Sequence, residues 1–173
     1  MACLLACPAT PPSAERGSGP TPSASTPEPE AASSTSKPEF VLAAESGDVV
    51  ELVAAAQAEA AAADQVVIVY VGASWCEPCQ YFHAAIDEGR FDEDLAGVRF
   101  LEFDLDRDRD RLIVAGYRSK MIPLFIAPGP DGRPGPRRTE GGVKGPKTVD
   151  HLRERLIPLV AAARADQRAL DRG

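Results

Sequence analysis

The sequence predicts an α/β domain, a central mixed sheet flanked by helices, preceded by a disordered leader. Three observations carry this. Val66 to Val71 is an apolar, largely β-branched run that reads as a buried strand. After the break at Gly72-Ala73-Ser74, Phe82, Ala85 and Ile86 recur at the spacing of one helix face. Upstream, Pro8 to Lys37 contains no Val, Ile, Leu, Met or aromatic residue, so it has nothing to bury against its chain entropy. The organisation expected is therefore a leader over residues 1–38 and a folded domain over 39–173. A flexible tether of that length spans on the order of 30 Å root-mean-square.

Taken in order, Phe40-Val41-Leu42-Ala43 is a short strand candidate. Ser46 or Asp48 can cap a helix running from Val49 to Ala63, whose Ala-rich composition favours helix and whose apolar face is Leu52, Val53 and Ala56. The central strand and the Cys-bearing helix follow, and Gly89 and Asp92-Glu93-Asp94 end or bend that helix near 88–96. Val98 to Asp104 alternates as a strand and is expected as the parallel neighbour of Val66–Val71. Asp104 to Arg111 has the acidic spacing of a calcium loop. It carries Arg109 where such a loop needs Gly and Ala115 where it needs Glu, so it reads as the solvated start of a helix. Leu112, Val114, Ala115 and Tyr117 continue that helix, and Gly116 weakens its end.

Met121 to Ile126 is the next strand, with Pro123 near its start. The turn cluster Pro128–Pro136 should join it to a strand near Arg137–Val143 as an antiparallel hairpin. Val149, Leu152, Leu156, Leu159 or Val160, and Ala163 form the amphipathic face of a closing helix. Pro158 is expected to kink or interrupt it, and Ala165–Gly173 to fray.

The chemistry concentrates at Trp75-Cys76-Glu77-Pro78-Cys79. Two cysteines at a helix start lie where unpaired N–H groups and the helix dipole favour a thiolate. Pro78 is tolerated there because first-turn N–H groups lack an intrahelical partner. Glu77 opposes the dipole, since a neighbouring carboxylate disfavours a thiolate. A less stabilised thiolate favours the reductase side of dithiol chemistry. His83, four residues after Cys79, shares its helix face and offers three readings: an ordinary partly buried or surface helix residue, a residue tuning Cys79, or the third member of a weak Cys-Cys-His metal set.

These residues resemble the thioredoxin family, whose signature is an aromatic residue and Cys-x-Pro-Cys after a buried strand. Ile122-Pro123, opening the run Leu124-Phe-Ile-Ala-Pro128, stands about where that family has its cis-proline. The resemblance covers Glu39 to about Ala165 and implies a thioredoxin-like fold. It also implies thiol–disulfide exchange on protein disulfides through a Cys76–Cys79 dithiol, with no cofactor beyond that redox-active pair and with an external thiol as electron donor. Cys76 is then the exposed attacking thiol and Cys79 the resolving one. Trp75 shapes the partner surface, Ile122 offers its backbone to an extended substrate chain, and Gly141-Gly142 is the small-residue spot facing the site. At Tyr70 the chain departs from the family, which commonly places a buried proton-relaying acid there. Glu102 lies near the position of a family lysine and is the candidate to take over the relay.

Composition limits the alternatives. A formal net charge of −7 weighs against nucleic-acid binding. Cysteines stand at positions 3, 7, 76 and 79, and Gln80 after Cys79 removes the haem-attachment motif. Leu4-Leu5-Ala6-Cys7 resembles the bacterial lipoprotein signal, which implies lipidation of Cys7 and an extracytoplasmic, membrane-tethered enzyme. The alternative is a low-complexity leader on a cytoplasmic protein. Two rival functions remain at this level: a metal-handling module using Cys76 and Cys79, and a redox-silent domain that binds extended peptides.

Overall fold

A computed structural model describes residues 36–170 and 172. Cys7 and nearly all of the leader, with the tether and lipidation readings attached to them, lie outside the described residues. The order of elements is β1 (Glu39–Leu42), α1 (Val49–Ala62), β2 (Val66–Gly72), α2 (Glu77–Asp87), β3 (Val98–Asp104), α3 (Leu105–Ala115), β4 (Leu124–Pro128), β5 (Pro134–Glu140) and α4 (Thr148–Leu170).

The five strands form one mixed sheet in the order β1-β3-β2-β4-β5. β3 pairs in parallel with both β1 and β2, whereas β4 runs antiparallel to β2 and to β5. All seven residues of β2 are buried, because alternate side chains enter two separate cores. Ile68 and Tyr70 face α2 and α4, packing with Phe82, Phe100, Phe125 and Leu156. Val67, Val69 and Val71 face α1 and α3, packing with Val53, Leu101, Leu112 and Ile126. Phe82 is the hub of the first core, with the rings of Phe40, Tyr70, Phe91, Phe100 and Phe125 all centred 5.0–5.7 Å from its own.

Local chemistry explains the helix ends. Asp48 caps α1 by accepting from the N–H groups of Val50 and Glu51, and Asp104 caps α3 through Asp106 and Arg107. Gly116, at φ 91°, closes α3 in the left-handed conformation that glycine adopts without a Cβ penalty.

Five sequence expectations need correction. β5 begins at Pro134 and stops at Glu140, so Gly141 and Gly142 lie beyond the strand rather than in it. Its prolines are tolerated because it is an edge strand. α4 runs through Pro158 to Leu170; Pro158 is exposed, so the carbonyl it orphans one turn back can face water. The end expected to fray is tied down by Arg137–Asp166 (2.8 Å) and by Arg164 donating to the Ala96 carbonyl. The start of α3 is not wholly solvated, since Asp108 is fully buried. Finally, Val114 is 84% exposed, and Tyr117 lies past the helix end, buried, with its hydroxyl on the Gly132 carbonyl (2.9 Å).

Candidate active site

The β2 run ends at Gly72, the chain turns, and Cys76 becomes the N-cap of α2. Cys76 and Cys79 form a disulfide with their Cα atoms 5.2 Å apart. The Cys79 N–H points at Cys76 Sγ (3.3 Å), so a first-turn donor of the helix is aimed at the sulfur that would carry the thiolate. Pro78 occupies the first turn and removes a donor that had no helical partner.

The two sulfurs open onto different spaces. Cys76 lines a groove of about 570 Å³ with Trp75, Glu77, Pro78, Ile122 and Gly142. Cys79 lines a separate cavity of about 400 Å³ with Tyr70, His83, Glu102 and Asp104. Neither cysteine is freely exposed in the disulfide: Cys76 is 4% accessible and Cys79 2%, so the expectation of an exposed Cys76 is narrowed to a sulfur reached through the groove.

Around the groove, Trp75 is 62% exposed, and its Nε1–H donates to Asp106 Oδ2 (2.7 Å), which ties the ring to α3 instead of to a core. Glu77 is not left to water. Its Oε1 accepts the Gly145 N–H at 2.9 Å, which turns the carboxylate toward the loop before α4. The Ile122–Pro123 peptide is cis. Gly141 N–H donates to the Pro123 carbonyl (2.8 Å), whereas the N–H and C=O of Ile122 have no partner among the described residues. Gly142 is held against the site: a Cβ there would sit 2.9 Å from Pro78 Cβ.

The second cavity brings together residues that the sequence separates widely. Register pairs Tyr70 on β2 with Glu102 on β3. His83 of α2 donates from Nε2 to Glu102 Oε1 (3.0 Å), while its ring stacks on Phe40 at 4.0 Å. Its partner is therefore a carboxylate, and among the described residues no group of three or more His, Cys, Asp or Glu side chains could hold a metal. The Tyr70 hydroxyl is fully buried with no hydrogen-bond partner among the described residues. Burial, and then the charge of Glu102, push its pKa far above the ordinary phenol range, so it remains a protonated donor. The phenol also excludes any side chain at Gly72, where a Cβ would overlap Tyr70 Oη. Sequence reasoning named Glu102 and His83 separately and missed that they pair, since the pairing depends on the β2–β3 register.

No protein-family model matches the sequence. Mouse and rat thioredoxins are each 36% identical over 73 residues, a stretch covering 40% of this chain and 62% of theirs, so the match spans about three-fifths of the length of those relatives. Among solved structures, a thioredoxin mutant from Halobacterium salinarum superposes with TM-score 0.43 at 18% identity, over 74% of this chain and 91% of its own. A Trichomonas vaginalis thioredoxin gives TM-score 0.43 and 18% identity over 68% and 96%. Over those 73 residues the chain is similar in sequence to the mouse and rat thioredoxins.

Proposed function

We propose that the protein is a thiol–disulfide oxidoreductase that reduces protein disulfides. The observation that carries this reading is the Cys76–Cys79 pair at the start of α2, with one sulfur on a substrate-sized groove and the other on a separate pocket shared with Tyr70, His83 and Glu102. In the dithiol form, the Cys76 thiolate attacks one sulfur of a substrate disulfide. A Cys76–substrate disulfide forms and the other substrate sulfur leaves as a thiolate that takes a proton from water. Cys79 then gives up its proton and attacks Cys76 Sγ. The Cys76–Cys79 bond closes and the second substrate sulfur departs as a thiol. An external thiol donor restores the dithiol.

The proton of Cys79 has a destination in this scheme. Glu102, held by His83, faces the same solvent-open pocket, which is wide enough for water to bridge carboxylate and thiol. Tyr70, which stays neutral, lines the same pocket as Cys79. Glu102→Gln removes the base, so turnover falls near neutral pH and climbs more steeply as pH rises. An unchanged pH profile for Glu102→Gln would remove Glu102 from the relay.

Direction is read from the potential. Equilibration against defined thiol buffers, followed by Trp75 fluorescence, should place the pair near roughly −270 mV, the thioredoxin end of the scale. A value near roughly −120 mV would mark an oxidant and overturn the reductive assignment. The exposed indole beside the disulfide makes Trp75 the natural reporter.

We also propose that Cys7 is lipidated and that the domain works outside the cytoplasm on a membrane tether. The support is the Leu4-Leu5-Ala6-Cys7 sequence and the Pro/Ser/Thr-rich stretch after it. Labelled fatty acid should enter the expressed protein and fail to enter Cys7→Ser.

A further inference from the structure

We propose that the groove beside Cys76 selects extended peptide segments carrying acidic side chains around their disulfide. This rests on the dithiol reading above and adds the chemical class of its substrate.

The first observation is a reversal of sign. The chain has a net charge of −7, yet the groove is lined by Arg109, Lys120 and Lys144 against a single carboxylate, Glu77. That carboxylate is already engaged by the Gly145 N–H (2.9 Å). Two acids that border this side are engaged as well: Asp106 accepts from the Trp75 indole, and Glu140 accepts from the Ser119 hydroxyl, the Lys120 N–H and the Arg138 guanidinium.

The second observation is what these cations do not do. Among the described residues, eight other Lys or Arg side chains lie within 4.0 Å of a carboxylate. Arg109, Lys120 and Lys144 are exposed and have no ion pair or hydrogen bond from their side chains among the described residues. A surface with this many acids that leaves three groove cations unpaired keeps a positive field where a ligand would enter.

The third observation is placement. Arg109 stands on α3, Lys120 in the loop before β4 and Lys144 in the loop before α4, so the charges approach the groove from three separate parts of the chain. Between them lies the unpaired backbone of Ile122, the edge along which an extended chain can add two hydrogen bonds. Trp75 and Met121, 62% and 59% exposed, supply apolar surface next to the sulfur. An extended peptide repeats every ~3.3 Å, with alternate side chains on opposite sides. Its acidic side chains can therefore reach the rim on both sides while its disulfide sits at Cys76.

The test uses the reduced full chain and three oxidised substrates. Two are peptides that share one disulfide loop and differ only in Glu or Lys flanks; the third is a small neutral aromatic disulfide. At about 10 mM salt, where charges act over ~30 Å, kcat/KM should favour the Glu peptide about ten-fold. At about 1 M salt, where the range is ~3 Å, the preference should collapse. Joint reversal by Lys120→Glu and Lys144→Glu should turn the preference toward the Lys peptide. Equal rates on the two peptides by wild type, with the neutral disulfide turned over, would overturn acidic selection and leave the dithiol reading standing. No turnover of any of the three would overturn the dithiol reading and this inference with it.

Discussion

Two acidic residues on neighbouring elements, Asp108 and Glu102, have opposite surroundings. Asp108 is fully buried and saturated. It accepts from the Asp104 N–H (3.0 Å), from Arg107 through Nε and one terminal nitrogen (2.8 Å each), and from Arg111 at 3.1 and 2.8 Å. Arg111 also reaches the Ala44 carbonyl (2.6 Å), so the cluster pins the loop before α1 onto α3. Among the described residues Glu102 has one partner, His83, and it borders a cavity shared with Cys79 and with a phenol that has no hydrogen-bond partner there. A saturated buried carboxylate has no capacity left for a proton or a ligand. An undersatisfied one beside a cavity retains both. The first arrangement holds the fold and the second is free to take part in chemistry.

The largest effect should follow from emptying the saturated cluster. Asp108→Ala leaves two guanidinium groups without their shared carboxylate and should cost about 3 kcal/mol in urea unfolding. Its pKa gives a second readout. Burial alone would raise it, but the hydrogen bonds from Arg107 and Arg111 outweigh burial and hold it below the usual carboxylate range. A group with a depressed folded pKa contributes stability that is present above its unfolded pKa of about 3.9 and is lost as pH falls through the folded value. Wild type should therefore lose stability on acidification below about pH 4, and Asp108→Asn should show a shallower loss over the same window.

An intermediate effect is expected beneath the dithiol. Gly72→Ala forces a methyl into Tyr70 Oη and should cost about 1–3 kcal/mol by overpacking. Tyr70→Phe alone should change stability by less than about 1 kcal/mol, because the hydroxyl it deletes has no hydrogen-bond partner among the described residues. Combined, the two should be less damaging than their sum. A strictly additive double-mutant cycle would mean that the phenol is not what excludes a side chain at residue 72.

The strand, turn and dithiol helix were legible because every signal for them is local: a β-branched run, a Gly-Ala-Ser break, Pro in a first turn. The burial of Asp108 was not, because Asp-Arg-Asp-Arg reads as a solvated repeat. The signal existed in the spacing. Leu105, Asp108, Leu112 and Ala115 fall on one face of α3, and Asp108 occupies a core position on that face. The pairing of His83 with Glu102 requires the β2–β3 register and the seat of α2 together, which no single segment carries. The continuation of α4 through Pro158 was misread because a proline's cost depends on which face it occupies, and its exposed position is a tertiary fact.

The smallest stability effect should come from the open cluster, and that is where the contrast is most exposed to failure. Glu102→Gln keeps the shape of the side chain and can still accept from His83 Nε2, and the pair it weakens is partly solvated, at 36% and 18% side-chain exposure. Exposed or half-exposed pairs of this kind contribute roughly 0–1 kcal/mol, so urea midpoints for Glu102→Gln and wild type should nearly coincide. His83→Ala should cost somewhat more, since it also removes a ring stacked 4.0 Å from Phe40. A loss in Glu102→Gln as large as that in Asp108→Asn would mean that Glu102 is a structural anchor after all, and the division between a saturated and an open carboxylate would not describe this protein. Near-equal stability with an altered pH profile of turnover is the pairing of results that only the open arrangement produces.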